Sequence, residues 1–467
     1  MLRRWSGSSD AAVVTADATW SGDELLRCAG GAADWLDTIG APRGRPVAAL
    51  VTSTPDAFAL LIGAAASGRP LAPLGPRHTA RELSACLTSL RPSVLVTEPA
   101  WADVARDAAG QAMTVAQLPE PAPSSRRLDL DPAPDAVAFV LHTSGTTGLP
   151  KSVPYREARM ARRSEINAAL AGLAPGSAFA SAAPFHHIAG WGNYAVALAA
   201  GAAVVPVARF TVDAWRNLAT RGTTNALLVP TMIEMLLDED ALDIGTLRVL
   251  HYGASQIRPE TLERVLRTLP NVGLLNIFGQ TEGSPIAVLT PDDHRRAAGT
   301  SHLLASVGRA APDVELRIDE PEASGIGEVH ARAFHFMLTD RNGWLRTGDM
   351  GRIDRDGYLY LSGRRGERII RGGENVYPEE VEHVLSEHPL VRDCAIVGVP
   401  DPTWGERVKA FVVAADPARP PDFDELQQWT RSQLAGFKVP TLWKLVPELP
   451  RNAAGKLLRH FLTDVAD

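Results

Sequence analysis

The stretch Thr143-Ser-Gly-Thr-Thr-Gly-Leu-Pro-Lys151 follows an apolar run, Ala136-Val-Ala-Phe-Val-Leu141, of the kind that forms a buried strand. It brings together small hydroxyl side chains, two glycines and one lysine. Glycine lets backbone N–H groups approach an anion closely, hydroxyls add donors, and lysine adds positive charge. The stretch therefore reads as a phosphate-holding loop at the end of a strand. It is not a Walker A loop, which places four residues between its first glycine and Gly-Lys. Here two residues separate Gly145 from Gly148, and two more separate Gly148 from Lys151.

Composition adds weight to that lysine. Of 47 Lys+Arg, only Lys151, Lys409, Lys438, Lys444 and Lys456 are lysines. Arginine serves nearly everywhere else, so a retained lysine marks a place where a compact, flexible ammonium is wanted.

A chain of 467 residues is expected to form two or more domains. Its 45% hydrophobic and 22% charged content suits a globular protein. The net charge of −7 carries no basic stripe for nucleic acid. Cys28, Cys86 and Cys394 are far apart without metal-ligand spacing, which points to buried, inert thiols in a reducing compartment. Met1-Leu-Arg-Arg-Trp5 is followed by polar residues and not by the apolar core of a signal peptide. The richest apolar stretch, Tyr194–Val207, is broken by Gly201 and Pro206, so no membrane span is expected. A cytoplasmic location is the expectation.

Short apolar strands alternate with helical patterns to about residue 290. Expected strands include Val47–Val51, Val94–Val96, Ala226–Val229, Leu247–Leu250 and Val272–Ile277. Expected helices include Ala57–Ala66 with Asp56 as N-cap, Met232–Asp238 and Glu260–Thr268. Residues 119–134, rich in Pro, Ser and Asp, read as a surface connector. The alternation predicts an α/β fold, with mostly parallel sheets and helices on their faces. Ligands gather at the carboxyl ends of such strands. Beyond residue 300 the texture becomes β-rich, with expected strands at Gly327–Ala331 and Gly357–Leu361. Gly363–Arg368 reads as a linker. A small α+β domain follows, with helices at Pro378–Ser386 and Phe423–Leu434 and strands at Ala395–Val397 and Ala410–Val413. The expected division is an N-terminal domain over 1–363, a hinge at 364–366 and a C-terminal domain over 367–467.

Three further stretches suit nucleotide chemistry. Phe278-Gly-Gln-Thr-Glu282 ends a strand with an aromatic face, a hydroxyl and a carboxylate able to hold Mg²⁺. Arg346-Thr-Gly-Asp349 offers a carboxylate for ribose hydroxyls, although Thr-Gly-Asp is equally good turn chemistry. Arg451-Asn-Ala-Ala-Gly-Lys456 carries a lysine near the C-terminus.

Taken together, and in this order, these motifs resemble the adenylate-forming superfamily of acyl-CoA synthetases, firefly-luciferase-like enzymes and amino-acid adenylation domains. The resemblance spans nearly the whole chain: 143–151, 278–282, 346–349, 363–378 and 450–456. One departure is Ser152, where the family usually has glycine after the lysine. The resemblance implies a carboxylate attacking the α-phosphate of ATP, then a thiol displacing AMP. It assigns Lys456 to bridge carboxylate and α-phosphate, Thr281 to the α-phosphate, and Glu282 to Mg²⁺. Thr143, Ser144, Gly145, Thr146, Thr147, Gly148 and Lys151 would hold the β- and γ-phosphates. Gly253, Ala254, Ser255, Phe278 and Gly279 would frame adenine, and Asp349 and Arg364 would hold the ribose. It also implies rotation of a mobile C-terminal domain that withdraws Lys456 and brings Gly372 and Gly373 to the thiol. Gly366 stands at the hinge position, where the family usually has Asp or Lys.

Pro184-Phe-His-His-Ile-Ala-Gly190 resembles the family's acyl-pocket motif, with His187 as the gating histidine and His186 expected in the core. No Asp lies between Ser181 and Val204 to pair with an amino group, which disfavours amino-acid activation. His187, Trp191, Val229, Pro230, Thr231, Tyr252 and Gly279 are the expected pocket residues, and they favour an uncharged hydrophobic or aryl acid. Phe437-Lys438-Val-Pro440 resembles a coenzyme A-contacting segment. The expected partners are therefore a small carboxylic acid and coenzyme A, with the phosphopantetheine of an acyl or peptidyl carrier protein as the alternative acceptor, in a monomer or homodimer. A non-catalytic nucleotide-binding relative is the competing class. Intact Lys456, Thr281, Glu282 and Asp349 argue against it.

Overall fold

Runs such as Val47–Leu50, Leu71–Leu74 and Val94–Thr97 are buried along their whole length, as strands covered on both faces must be. They belong to a computed structural model that describes residues 2–76, 78–120, 122–143, 151–253, 257–297, 301–371, 374–401, 403–452, 455 and 457–463. The chain divides into two compact units. The first holds residues 1–303, 311–314 and 332–345; the second holds 304–310, 315–331 and 346–467.

The first unit contains two sheets. One runs Thr114–Gln117, Val94–Thr97, Val47–Leu50, Leu71–Leu74, Val137–Thr143 and Lys151–Arg156. Its neighbours are parallel until the last pair, which is antiparallel. In the other, Gly273–Phe278, Val249–Tyr252, Asn225–Leu228, Ala178–Ser181, Ala203–Pro206 and Ala11–Val14 lie side by side in parallel. Ala287–Leu289 pairs antiparallel with Gly273–Phe278, and Thr19–Ser21 pairs antiparallel with Ala11–Val14. This is the predicted α/β architecture. One strand is displaced from its expected place, Val249–Tyr252 instead of Leu247–Leu250.

Local chemistry sets the helix starts. Gly22–Thr38 and Ala80–Leu90 each open with a capping box, Ser21 with Glu24 and Thr79 with Glu82. Pro55–Ala66 is capped by Thr54, which accepts from the Ala57 N–H, and not by Asp56 as expected. Proline at the first helical position moves the cap back by two residues. The 119–134 connector is tied down on helix Gly22–Thr38. Ser124 Oγ donates to Asp34 at 2.6 Å, Arg126 donates to Asp34 at 2.9 Å and to Asp37 at 2.6 Å, and a Cβ at Gly31 would stand 1.8 Å from the Ala122 carbonyl.

In the second unit, Glu315–Asp319, Gly327–Arg332, Trp344–Ile353 and Leu359–Arg364 form a four-stranded sheet. Gly363 and Arg364, expected in the linker, sit in register opposite Met350 and Asp349. Arg365–Glu367 makes one 3-10 turn. A second sheet orders Glu374–Val376, Ile369–Arg371, Gly405–Ala414 and Val391–Asp401, with Leu442–Leu445 added to Gly405–Ala414. Val391–Asp401 and Gly405–Ala414 form one hairpin, far longer than the short expected runs. Its turn is held by Asp401 Oδ1, which accepts from the N–H groups of Thr403 and Trp404 at 2.9 Å each. Helices Pro378–Ser386 and Phe423–Gln433 pack on it through Val381, Leu385 and Leu426. The proposed hinge at 364–366 thus lies within the second unit.

All three cysteines are free and buried. Burial pushes the Cys86 thiol up to about 11 and raises that of Cys28. No helix among the described residues is long and apolar enough to cross a membrane.

Candidate active site

The ends of the expected phosphate loop, Thr143 and Lys151, belong to the two strands of one hairpin. Val137–Thr143 pairs antiparallel with Lys151–Arg156, and Thr143 stands opposite Lys151. The loop therefore leaves and returns on one rung. Ser144, Gly145, Thr146, Thr147 and Gly148 lie outside the described residues. One rung down, His142 Nε2 lies 3.2 Å from Ser152 Oγ. Lys151 is largely exposed, with its ammonium 4.0 Å from the Glu282 carboxylate.

Phe278 ends its strand, and Gly279–Glu282 turns beneath the hairpin. The Tyr155 hydroxyl, on the hairpin's second strand, donates to the Thr281 carbonyl at 2.5 Å. Its ring stacks on Phe139 at 4.4 Å. The Glu282 carbonyl accepts from the N–H groups of Met337 at 2.7 Å and Leu338 at 3.2 Å. Gly279 is a close approach, since a Cβ there would stand 2.7 Å from Ser284 Cβ. These ties fix Thr281 and Glu282 by their backbones and leave their side chains for a ligand.

Glu282 suits Mg²⁺ as one hard oxygen donor. Among the described residues no cluster of three His, Cys, Asp or Glu side chains is placed to hold a metal.

The residues expected to line an acid pocket separate into two groups. His187 caps the π-helical turn Ile188–Gly192, and its ring lies 4.2 Å from that of His186. Burial, then His78, hold His187 down to about 4. His186, expected in the core, is half-buried and packs on His78 at 5.6 Å. Arg163 steadies this turn by donating to the Gly192 carbonyl at 2.8 Å. Trp191 is buried among Phe58, Phe139 and Phe185, with ring centroids 5.9, 6.0 and 5.6 Å away. Tyr252 is buried, and its hydroxyl is engaged by His294 Nε2 at 2.7 Å. Val229 is buried just ahead of helix Pro230–Asp238. Gly253 is followed by Ala254 and Ser255, which lie outside the described residues. Trp191, Val229 and Tyr252 thus serve packing more directly than His187 does.

In the second unit, Asp349 lies within strand Trp344–Ile353 and not in a hairpin turn. Gly348, at φ +71°, and a register shift after Met350 kink the strand there. Arg364 Nε lies 2.7 Å from Asp349 Oδ1, and Arg364 Nη1 donates to the Thr347 carbonyl at 3.0 Å. The pair buries the Asp349 carboxylate against a guanidinium. Lys438 donates to both Glu380 oxygens at 2.6 and 2.7 Å, so its ammonium is engaged within the C-terminal body. Gly372, Gly373 and Lys456 lie outside the described residues. Arg451 donates to the Gly455 carbonyl at 3.0 Å and to Asp393 at 2.8 Å.

Sequence reasoning passed over Tyr155, His78, His142 and Arg459. Each sits in a run that reads as ordinary strand, turn or tail. Ser152, standing where glycine is usual, was the one signal that pointed toward His142.

Comparison with known proteins identifies the family. Residues 3–338 match the family described as AMP-binding enzyme, and residues 380–456 match AMP-binding enzyme C-terminal domain. The chain is 35% identical to the fatty acid–[acyl-carrier-protein] ligase ScoC of Streptomyces coeruleorubidus, covering 97% of this chain and 93% of that protein. It is 34% identical to the indoleacetate–CoA ligase of Aromatoleum aromaticum, covering 88% and 86%. Among solved structures, the amide bond synthetase McbA from Marinactinospora thermotolerans superposes with a TM-score of 0.88 at 31% identity, covering 99% and 98%. A phosphate hairpin seated on a Thr-Glu strand end, matched over both parts of the family's length, leads to one conclusion: the chain belongs to the AMP-binding enzymes of the adenylate-forming superfamily.

Proposed function

We propose that this protein is an AMP-forming acid–thiol ligase that activates a small to medium hydrophobic or aryl carboxylic acid and transfers it to coenzyme A. The observation that carries the reading is the seating of the hairpin, with Lys151 facing Glu282 and Tyr155 bonded to Thr281, in a chain whose relatives include an indoleacetate–CoA ligase.

In the first half-reaction a carboxylate oxygen bonds to the α-phosphorus of ATP. The bond from that phosphorus to the bridging oxygen breaks, and pyrophosphate leaves. Two anions must meet, so positive charge and positioning supply most of the catalysis. Lys456 bridges the carboxylate and α-phosphate, and Thr281 donates to the α-phosphate. Lys151 steadies the departing pyrophosphate. Asp349, oriented by Arg364, accepts from the ribose hydroxyls. Mg²⁺ held by Glu282 would add charge neutralisation on the phosphates. In the second half-reaction the thiol sulfur bonds to the acyl carbon, the carbon–oxygen bond to AMP breaks, and the thiol proton passes to solvent. Rotation about 364–366 brings Gly372 and Gly373 to the thiol.

A carrier-protein thiol is the second reading, favoured by the likeness to a fatty acid–[acyl-carrier-protein] ligase. Acid-dependent ATP–pyrophosphate exchange tests the ligase reading. It fails if no carboxylate from a broad panel supports exchange, or if Lys456→Ala leaves exchange unchanged. Thioester formation with coenzyme A against a phosphopantetheinylated carrier protein then decides the acceptor.

A further inference from the structure

Four imidazoles gather beside the neck of the phosphate hairpin. His78 follows strand Leu71–Leu74, His142 is the penultimate residue of Val137–Thr143, and His186 and His187 lead into the turn Ile188–Gly192. His78 and His186 are 5.6 Å apart, and His186 and His187 are 4.2 Å apart. Gly75 makes the space, because a Cβ there would stand 2.8 Å from His186 Nε2 and 3.0 Å from His78 Cε1. His78 acts electrostatically on both His142 and His187.

His78, His142 and His187 carry no charge at neutral pH. Burial holds His142 and His187 down to about 4 and lowers His78 as well. The carboxylate nearest His78, Glu82, is engaged in the capping box with Thr79. A neutral imidazole offers one donor and one acceptor. His142 Nε2 is committed to Ser152, whose Oγ lies 3.3 Å from Ser89 Oγ. Among the described residues, Nδ1 of His142 and Nδ1 of His78 are buried without a hydrogen-bond partner. The indole N–H of Trp191, in the turn that His187 caps, is in the same condition. Buried polar atoms are nearly always satisfied, so unpaired ones around one turn call for a partner from outside the chain. An alkyl group leaves them unpaired. An anionic group would lack a countercharge.

We propose that His78 and His142 determine acid specificity, recognising through Nδ1 an uncharged hydroxyl, ether or carbonyl group on the acid. This deepens the ligase reading and rests on it, since that reading puts His187 beside the acid.

The test uses acids paired by one polar group: benzoate with 4-hydroxybenzoate, cinnamate with 4-hydroxycinnamate, phenylacetate with 4-hydroxyphenylacetate, and butyrate with 3-hydroxybutyrate. Each is assayed by ATP–pyrophosphate exchange. In at least one pair the wild-type kcat/KM favours the polar member by about tenfold or more, because a site built to hydrogen-bond discriminates strongly against the analogue lacking that group. His78→Phe and His142→Phe shrink the ratio severalfold, whereas His78→Asn, which keeps a donor and an acceptor, retains most of it. Thermal melts identify any variant that has failed to fold, and the Asn variant then carries the comparison. Equal rates within every pair, as expected if ordered water alone meets these imidazoles, overturn the proposal. So does a ratio unchanged in both Phe variants, or a preference for malonate over propionate. Absence of exchange with every acid is a different result: it defeats the ligase reading itself, and this inference with it.

Discussion

The ammonium of Lys151 stands 4.0 Å from the Glu282 carboxylate, on the rung that closes the phosphate hairpin. The side chain of Lys151 is 58% exposed, so this contact contributes little to stability, and its use lies with a bound anion. Lys151→Ala is expected to leave the melting temperature unchanged. Loss of one charge-assisted contact, about 1.5–3 kcal/mol, raises the KM for ATP roughly ten- to a hundredfold. Steady-state pyrophosphate exchange measures it, and an unchanged KM would remove Lys151 from the phosphate site.

Asp349 is buried against Arg364, which makes substitution there affect both fold and ligand. Asp349→Asn keeps the shape and removes the charge. AMP binding, measured by calorimetry, weakens about tenfold or more, as expected for loss of a hydrogen bond from a charged group. Binding equal to wild type would show that ribose is held elsewhere.

Arg459 grips Glu382 through two bonds at 2.8 and 2.9 Å and reaches Glu367 with a third at 2.9 Å. Removing it leaves two partly buried carboxylates without their cation. Arg459→Leu is expected to destabilise the C-terminal body by about 3–5 kcal/mol. Lysine would not rescue it, because a point charge cannot reproduce the planar fork. Hydrogen exchange in strands Val391–Asp401 and Gly405–Ala414 reads the loss locally.

Gly366 does not need to be glycine in this conformation. It has no positive φ, and a Cβ there meets nothing within 4 Å. Gly366→Ala is therefore expected to change stability by no more than about 1 kcal/mol. If the hinge turns at this residue, the variant keeps pyrophosphate exchange and loses thioester formation. Equal retention of both steps would place the rotation elsewhere.

His142 and His187 resist protonation down to about 4 in the folded chain, against an ordinary value of 6.5. The unfolded chain takes up protons first, so stability falls as pH drops through that window and is fully present above it. Each contributes at most about 3 kcal/mol of loss by pH 4. His142→Phe should flatten the urea midpoint between pH 6.5 and 4.5. An unaltered profile would show that this imidazole is not the group responsible.

Much of this was legible in the chain. The buried strands announced themselves as unbroken apolar runs, whereas the one helix cap expected from the sequence, Asp56, gives way to Thr54 ahead of a proline. The motifs at 143–151, 278–282 and 346–349 stand out in the sequence because nucleotide chemistry confines residue types to short windows, and the roles proposed for them rest on that pattern and on the family.

What the amino-acid order determined by itself was therefore the local vocabulary: strands, helices and compact motifs whose parts are near neighbours in the chain. Tertiary structure decided which distant residues share one place. Tyr155 reaches Thr281, Arg459 reaches Glu382 and Glu367, and His78 meets His186 over a glycine that no periodicity marks. Such meetings depend on sheet register and on the absence of a single Cβ. Periodicity reports which face of an element is buried, but not what that face meets.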